Sequence, residues 1–137
     1  MKISTIGSGL LSLSLASTVL ADFHILELDG TTDKYAIPSN KYNCGGVEYA
    51  LNNNDQINGA IGSSYLSLRN ANLCGVKNLD FYRQSDGSYK FYIAGGDGTV
   101  QGQCYHNEDS GGEITNCSET WGITLVEKLI CYTYICN

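Results

Sequence analysis

Proline, histidine and positive charge are scarce: 137 residues hold one proline, two histidines and eight Lys or Arg against fourteen Asp or Glu. The net charge of -6 argues against nucleic acid or an anionic membrane surface as partner, because both repel an acidic protein. No two Lys or Arg residues are adjacent, so a dibasic processing site is absent. Beyond the first twenty-one residues no apolar run could span a bilayer, and the one at 129–135 is far too short for an anchor. What is plentiful is glycine (sixteen) and tyrosine (ten), which is not the composition of a helical bundle or a disordered tail.

Residues 1–21 read as a secretory signal peptide. Lys2 gives the positive start, 3–20 is uncharged, and Val19 and Ala21 fit the -3 and -1 positions of a cleavage site. Glycines and serines interrupt the stretch, which argues against a membrane anchor. The expected mature protein is a single secreted, extracellular domain, 22–137, beginning at Asp22. Cleavage removes one base, Lys2, and no acid, leaving a net charge of -7.

All six cysteines, Cys44, Cys74, Cys104, Cys117, Cys131 and Cys136, fall in that mature part. An even count in an exported chain predicts three disulfides. A zinc site is disfavoured: the closest cysteines are five apart, and His24 and His106 are 82 positions apart. No metal or cofactor is expected. Fifteen pairings are possible. Cys104 with Cys117 would close a glycine-rich polar loop, with Cys131 and Cys136 tying back to Cys44 and Cys74 in either order. Cys131 and Cys136 are not expected to pair, because an odd separation in a strand points them to opposite faces.

Periodicity is mostly that of strands. Strand-like segments occur at 23–28, 35–37, 65–68, 79–84, 89–94, 99–105, 121–126 and 129–135, with turn residues between them. Glu127 and Lys128 break the apolar pattern, as a bulge or turn would. Residues 47–51 fit either a strand or a short helix. The pattern predicts a mainly β fold: a small disulfide-stapled antiparallel sandwich or barrel, with one short helix at most. The alternative is a small α+β domain with its helix at 47–54. The expected core comprises Phe23, Ile25, Tyr49, Leu66, Leu68, Phe91, Ile93, Val100, Trp121, Ile123, Leu125 and Ile130.

Recognisable catalytic motifs are missing. His106 has Glu108 and Asp109 nearby but no nucleophile motif. His24 lies in apolar alternation and reads as a strand residue with a satisfied side chain. Fourteen acids single out no glycosidase pair. Gly95-Gly96-Asp97-Gly98-Thr99 lacks the Lys and the following helix of a phosphate loop and reads as a turn between strands. The stretch 109–113 lacks the alternating oxygen ligands of a calcium loop. Asn116-Cys117-Ser118 is a possible glycosylation sequon.

Residues 79–94 read as a hairpin closed by Asp86-Gly87 in a two-residue turn. That register sets Arg83 opposite Lys90 and Phe81 opposite Tyr92, with Tyr82, Tyr89, Phe91 and Ile93 facing the core. Phe81, Arg83, Lys90 and Tyr92 then form an outward aromatic–basic patch, a candidate binding surface for a sugar ring or an anion.

Asp22-Phe23-His24-Ile25 after the leader, and Ile37-Pro38-Ser39-Asn40-Lys41-Tyr42-Asn43-Cys44, resemble small secreted cysteine-rich proteins of filamentous ascomycete fungi. Many of these are effector candidates, and the resemblance carries no catalytic residue. The expected function is that of a monomeric, non-enzymatic binding protein of effector type. Its partner would be an extracellular glycan or a host or competitor protein. The alternatives are a small secreted hydrolase of glycan or RNA and a killer-type toxin or inhibitor.

Overall fold

The structure, a computed structural model, describes residues 22–107, 112–117 and 122–136. The expected signal peptide and Trp121 lie outside the described residues, as does the rest of the loop carrying Glu108 and Asp109. Nine strands are present among the described residues: β1 (Asp22–Leu28), β2 (Lys34–Pro38), β3 (Gln56–Asn58), β4 (Tyr65–Leu68), β5 (Leu79–Arg83), β6 (Tyr89–Ile93), β7 (Val100–His106), β8 (Glu113–Cys117) and β9 (Ile123–Thr133). Strands β1 to β7 pair in sequence order, β7 pairs with β9, and β9 returns to β1. The result is an eight-stranded, wholly antiparallel closed barrel with one helix, α1 (Cys44–Asn52), which bears out the mainly β reading. Strand β8 does not fold back on β7. It continues along the same edge of β9, Glu113 opposite Val126 where His106 is opposite Leu129.

The first and last strands close the barrel. Phe23 and Ile25 of β1 lie opposite Cys131 and Leu129 of β9, and all four point into the lumen. The register then jumps: Leu26 is opposite Glu127, and Lys128 is left over as a bulge. The sequence marks this place with its Glu-Lys break in an apolar run. Beyond the bulge, the residues of β9 paired with Leu26 and Leu28 face outward. Two cores follow. The lumen holds Phe23, Phe81 and Phe91, in mutual ring contact at 5.2–6.4 Å, with Leu66, Leu68, Leu79, Tyr89 and Leu129. Such side chains suffice to fill a barrel of eight strands. The second core lies outside the barrel wall, where Val47 and Ala50 of α1 cover Leu26, Ile37, Ile114 and Leu125. Helix α1 starts because the Asn43 side chain accepts the Gly46 N–H at 3.0 Å. Gly46 is required there, since a Cβ would sit 1.7 Å from the Lys41 carbonyl oxygen.

All six cysteines are bridged, as Cys44–Cys117, Cys74–Cys136 and Cys104–Cys131. The expected Cys104–Cys117 bridge is corrected. With β8 running on beyond β7, the two cysteines fall along one edge, Cys104 in the lumen and Cys117 in the outer core. Cys104 instead meets Cys131, its cross-strand neighbour. Cys136 does tie back to Cys74, but the expected tie of Cys131 to Cys44 or Cys74 is corrected with it, and Cys131 does not pair with Cys136. The three bridges are consistent with an extracellular protein. Among the described residues, no helix is long and apolar enough to cross a membrane.

The core list also needs correction. Phe23, Ile25, Leu66, Leu68, Phe91 and Leu125 are buried, but Ile93 is 42% and Val100 47% exposed. Those two residues end β6 and begin β7 at the barrel rim. Ile130 turns outward because its neighbours Leu129 and Cys131 fill the lumen, and Ile123 and Tyr49 are half-buried. Asn116 lies on β8, but its side chain and Ser118 are outside the described residues.

Two stability outcomes follow. At Gly102 a Cβ would come 2.2 Å from the Tyr132 carbonyl oxygen and 2.5 Å from the Phe91 ring. Gly102→Ala should therefore cost about 2 kcal/mol or more in urea unfolding, at the upper end of overpacking penalties. Asp55 is fully buried; one carboxyl oxygen accepts the Asn72 N–H at 2.7 Å and the other has no partner. Burial raises its pKa, against the opposing pull of the Asn72 N–H and the Lys41 charge. A raised carboxyl pKa favours the folded state at low pH, and that advantage is lost as pH rises above the unfolded value of about 3.9. Asp55→Asn should therefore gain stability relative to wild type as pH increases from 4 to 7. A constant difference across that range would refute the assignment.

Candidate functional site

Helix α1 and β8 cover the barrel on the β1, β2 and β9 side. Strand β5 stands four steps from β1 around the eight-stranded ring, so β4, β5 and β6 lie on the opposite, uncovered side. Their outward residues are set by the β5–β6 register. Phe81 is opposite Phe91, Tyr82 opposite Lys90 and Asp80 opposite Tyr92. This differs by one residue from the register expected of a two-residue turn. The Gln84 N–H bonds the Ser88 carbonyl at 2.7 Å, and the loop is the three residues Ser85, Asp86 and Gly87. Gly87 sits at φ +90°, the left-handed position of a three-residue hairpin loop. The Asp86 carboxylate accepts both the Ser88 hydroxyl and N–H, which lowers its pKa, the hydroxyl contributing most.

That one-residue shift rearranges the expected patch. Phe81 is corrected to the lumen, where it is fully buried. Arg83 shares its phase and emerges only at the barrel rim. Lys90 and Tyr92 do face outward, and Tyr82, assigned to the core from the sequence, joins them at 46% exposed. Tyr65 of β4 is the cross-strand neighbour of Tyr82. The Tyr65 and Tyr82 rings lie 5.3 Å apart, and those of Tyr82 and Tyr92 5.8 Å apart and edge-on. Three tyrosines on adjacent strands thus form one continuous aromatic surface. Arg83 and Lys90, no longer directly opposed, need no compensating acid.

A hydrogen-bonded base supports this surface. The Tyr65 hydroxyl donates to Asp80 Oδ1 at 2.6 Å, and Arg69 donates to both the Tyr65 hydroxyl, at 2.9 Å, and Asp80. Burial would raise the Asp80 pKa, but the Tyr65 and Arg69 hydrogen bonds and the guanidinium charge outweigh it and hold the carboxyl below its usual range. Beside the rings opens a cleft of about 400 Å³ lined by Asp80, Tyr82, Tyr92, Ile93 and the glycines of the β6–β7 turn. That turn is the Gly95–Thr99 stretch, which joins two strands as expected. Gly95 and Gly98 have left-handed φ of +74° and +86° and open space where a Cβ would be, so the cleft presents bare backbone. The Asp97 carboxylate accepts the Thr99 N–H at 2.9 Å and holds the turn.

His106 contacts the Gly87 carbonyl oxygen through Nε2 at 3.0 Å and braces the β5–β6 turn. His24 has a richer environment, built from elements far apart in the chain. Its Nε2 lies 2.8 Å from the Ser39 hydroxyl and its Nδ1 contacts Glu127. Glu127 is brought there by the Lys128 bulge. Among the described residues, no group of three or more His, Cys, Asp or Glu is placed to hold a metal ion.

Comparison of the chain with protein-family models, with curated proteins and with solved structures finds no match, so the arrangement of these side chains is what bears on function.

Proposed function

We propose that this is a secreted binding protein that holds an extracellular glycan on the Tyr65–Tyr82–Tyr92 surface. The observation that carries this reading is the placement of three contacting, solvent-facing tyrosine rings beside a glycine-floored cleft. Ring faces cover the apolar face of a sugar while the Tyr82 and Tyr92 hydroxyls can hydrogen-bond to it, the Tyr65 hydroxyl being engaged by Asp80 and Arg69. The cleft is within the size range of small-ligand sites. Lys90 beside Tyr82, with Asp80 and the exposed backbone of Gly95 and Gly98, supplies the polar complement.

Binding without cleavage is the mode this face favours. A glycosidase needs a carboxylic acid that keeps its proton near neutral pH. Asp80, the carboxyl at the cleft, is held ionised by Arg69 and Tyr65. Export through the leader at 1–21 and an effector-like role outside the cell complete the proposal. Three disulfides suit that setting.

The test is a pull-down of the mature protein on insoluble chitin, cellulose, β-1,3-glucan and mannan, followed by titration with soluble oligomers of whichever is retained. Tyr82→Ala and Tyr92→Ala should each weaken binding at least tenfold, about 1.4 kcal/mol. Lys90→Ser should weaken it less, and Arg83→Ser should leave it unchanged. Retention on none of the four polymers, or full-strength binding by the Tyr82→Ala/Tyr92→Ala double variant, would rule the reading out.

A further inference from the structure

On the helix-covered side of the barrel, far from the tyrosines, three side chains separated by up to 103 positions meet in a relay. His24 points outward from β1. Ser39 opens the single helical turn Ser39–Lys41 that follows β2, just after Pro38, the cross-strand neighbour of Phe23. Glu127 reaches the same spot from β9 because Lys128 is bulged out. Its side chain is only 5% exposed, and Asn107 donates to its second oxygen. The Tyr42 ring packs edge-on against the imidazole at 4.6 Å. Burial and the neighbouring Glu127 push the Tyr42 pKa up to about 12 and keep its hydroxyl neutral.

Contact with a carboxylate places a hydrogen on His24 Nδ1, and in the neutral imidazole the lone pair of Nε2 then faces the Ser39 hydroxyl at 2.8 Å. A hydroxyl within reach of a base that a third group orients is the signature of an activated nucleophile, recognised by geometry rather than by sequence position. Ser39 is half-buried and does not itself line the groove of about 310 Å³ that its sequence neighbours Pro38, Asn40 and Lys41 form with Tyr49 and Ile135. Ser39 has one further polar contact. In the structure its hydroxyl donates to the Asp22 carboxylate. With a single hydrogen, the hydroxyl can serve Asp22 or His24 but not both.

We propose that Ser39 is an acylatable nucleophile, with His24 as its base and Glu127 as the residue positioning that base, acting on small carboxylic esters that reach its half-buried hydroxyl from solvent. The Ser39 proton passes to His24 Nε2 as Oγ adds to the ester carbonyl carbon. The ester C–O bond then breaks, and His24 returns that proton to the departing alkoxide, leaving acyl-Ser39 and an alcohol. Water attacks the acyl carbon and gives a proton to Nε2; Ser39 leaves and recovers it. The sum is ester plus water to acid plus alcohol. Asp22 restrains the reaction by competing for the Ser39 hydrogen. The site shares no residue with the tyrosine surface, so failure of either proposal leaves the other standing.

The test is phosphonylation of the mature protein by an alkyl fluorophosphonate at pH 8, with the adduct located by peptide mass mapping. An adduct on Ser39 is expected, formed faster in Asp22→Ala and at least a hundredfold slower in His24→Ala, the scale of a general base. Hydrolysis of 4-nitrophenyl acetate should fall in parallel in Ser39→Ala. Two results would overturn the proposal. One is no adduct on Ser39 in either wild type or Asp22→Ala while both remain folded by circular dichroism. The other is labelling of His24→Ala at the wild-type rate.

Discussion

Pairing of the first strand with the last is the constraint on which the rest of this structure depends. Strands β1 and β9 are separated by nearly the whole chain, so their union closes the largest loop in the fold, and without it the sheet would keep two open edges. Two of the three disulfides bear directly on this closure. Cys104–Cys131 fixes β9 to β7 on one side, and Cys74–Cys136 ties down the chain just beyond β9. In the loop-entropy account each bridge of this span removes about 4 kcal/mol of unfolded-chain freedom, comparable to the whole margin of a small domain.

The bulge at Lys128 gives that closure its second consequence. An unbroken β9 would send all its odd-numbered residues into the lumen. The extra residue reverses the phase, so that Leu129 and Cys131 point inward while Leu125 and Glu127 point out beneath α1. One inserted residue thus supplies the apolar floor on which the helix packs, and it brings a buried carboxylate to His24. Packing and chemistry on that side share a cause.

The fold was legible where side chains alternate. Strands β1, β4, β5 and β6 were visible as strand-like segments, and the segments 121–126 and 129–135 meet in one strand, β9, continuous through a bulge at the Glu127-Lys128 break. Register was not legible. Asp86-Gly87 suits a two-residue turn, but Gly87 adopts the left-handed position of a three-residue loop, and that difference exchanges the faces of Phe81 and Tyr82. Helix α1 was half legible: 47–51 fitted a strand or a short helix, but Gly45 and Gly46 are poor helix formers and hid its start, which the Asn43 cap and packing over β2 decide. The disulfide pairing failed because nothing local says that β8 continues along β9 rather than turning back. The Ser39–His24–Glu127 relay had no sequence signal at all, since its members lie on three elements whose proximity is a product of barrel closure.

The filled lumen decides where any ligand must go. Phe23, Phe81 and Phe91 occupy the space that a wider barrel would give to a bound molecule, so recognition is left to the outer wall and the rim. The wall is asymmetric: a helix and a disulfide cover one side, and the other shows tyrosines. Leaving aromatic residues exposed on β4, β5 and β6 forgoes the burial that α1 supplies elsewhere, about 25 cal/mol for each Å² of apolar surface left in water. Tyrosine lowers that cost, because its hydroxyl remains hydrated or, as at Tyr65, is held by Asp80 and Arg69. Arg69 and Asp80 meanwhile neutralise each other beside the rings. In an otherwise acidic protein, this leaves an aromatic surface whose unbalanced near charge is the single Lys90 opposite Tyr82, which suits a polyhydroxylated ligand better than a highly charged one.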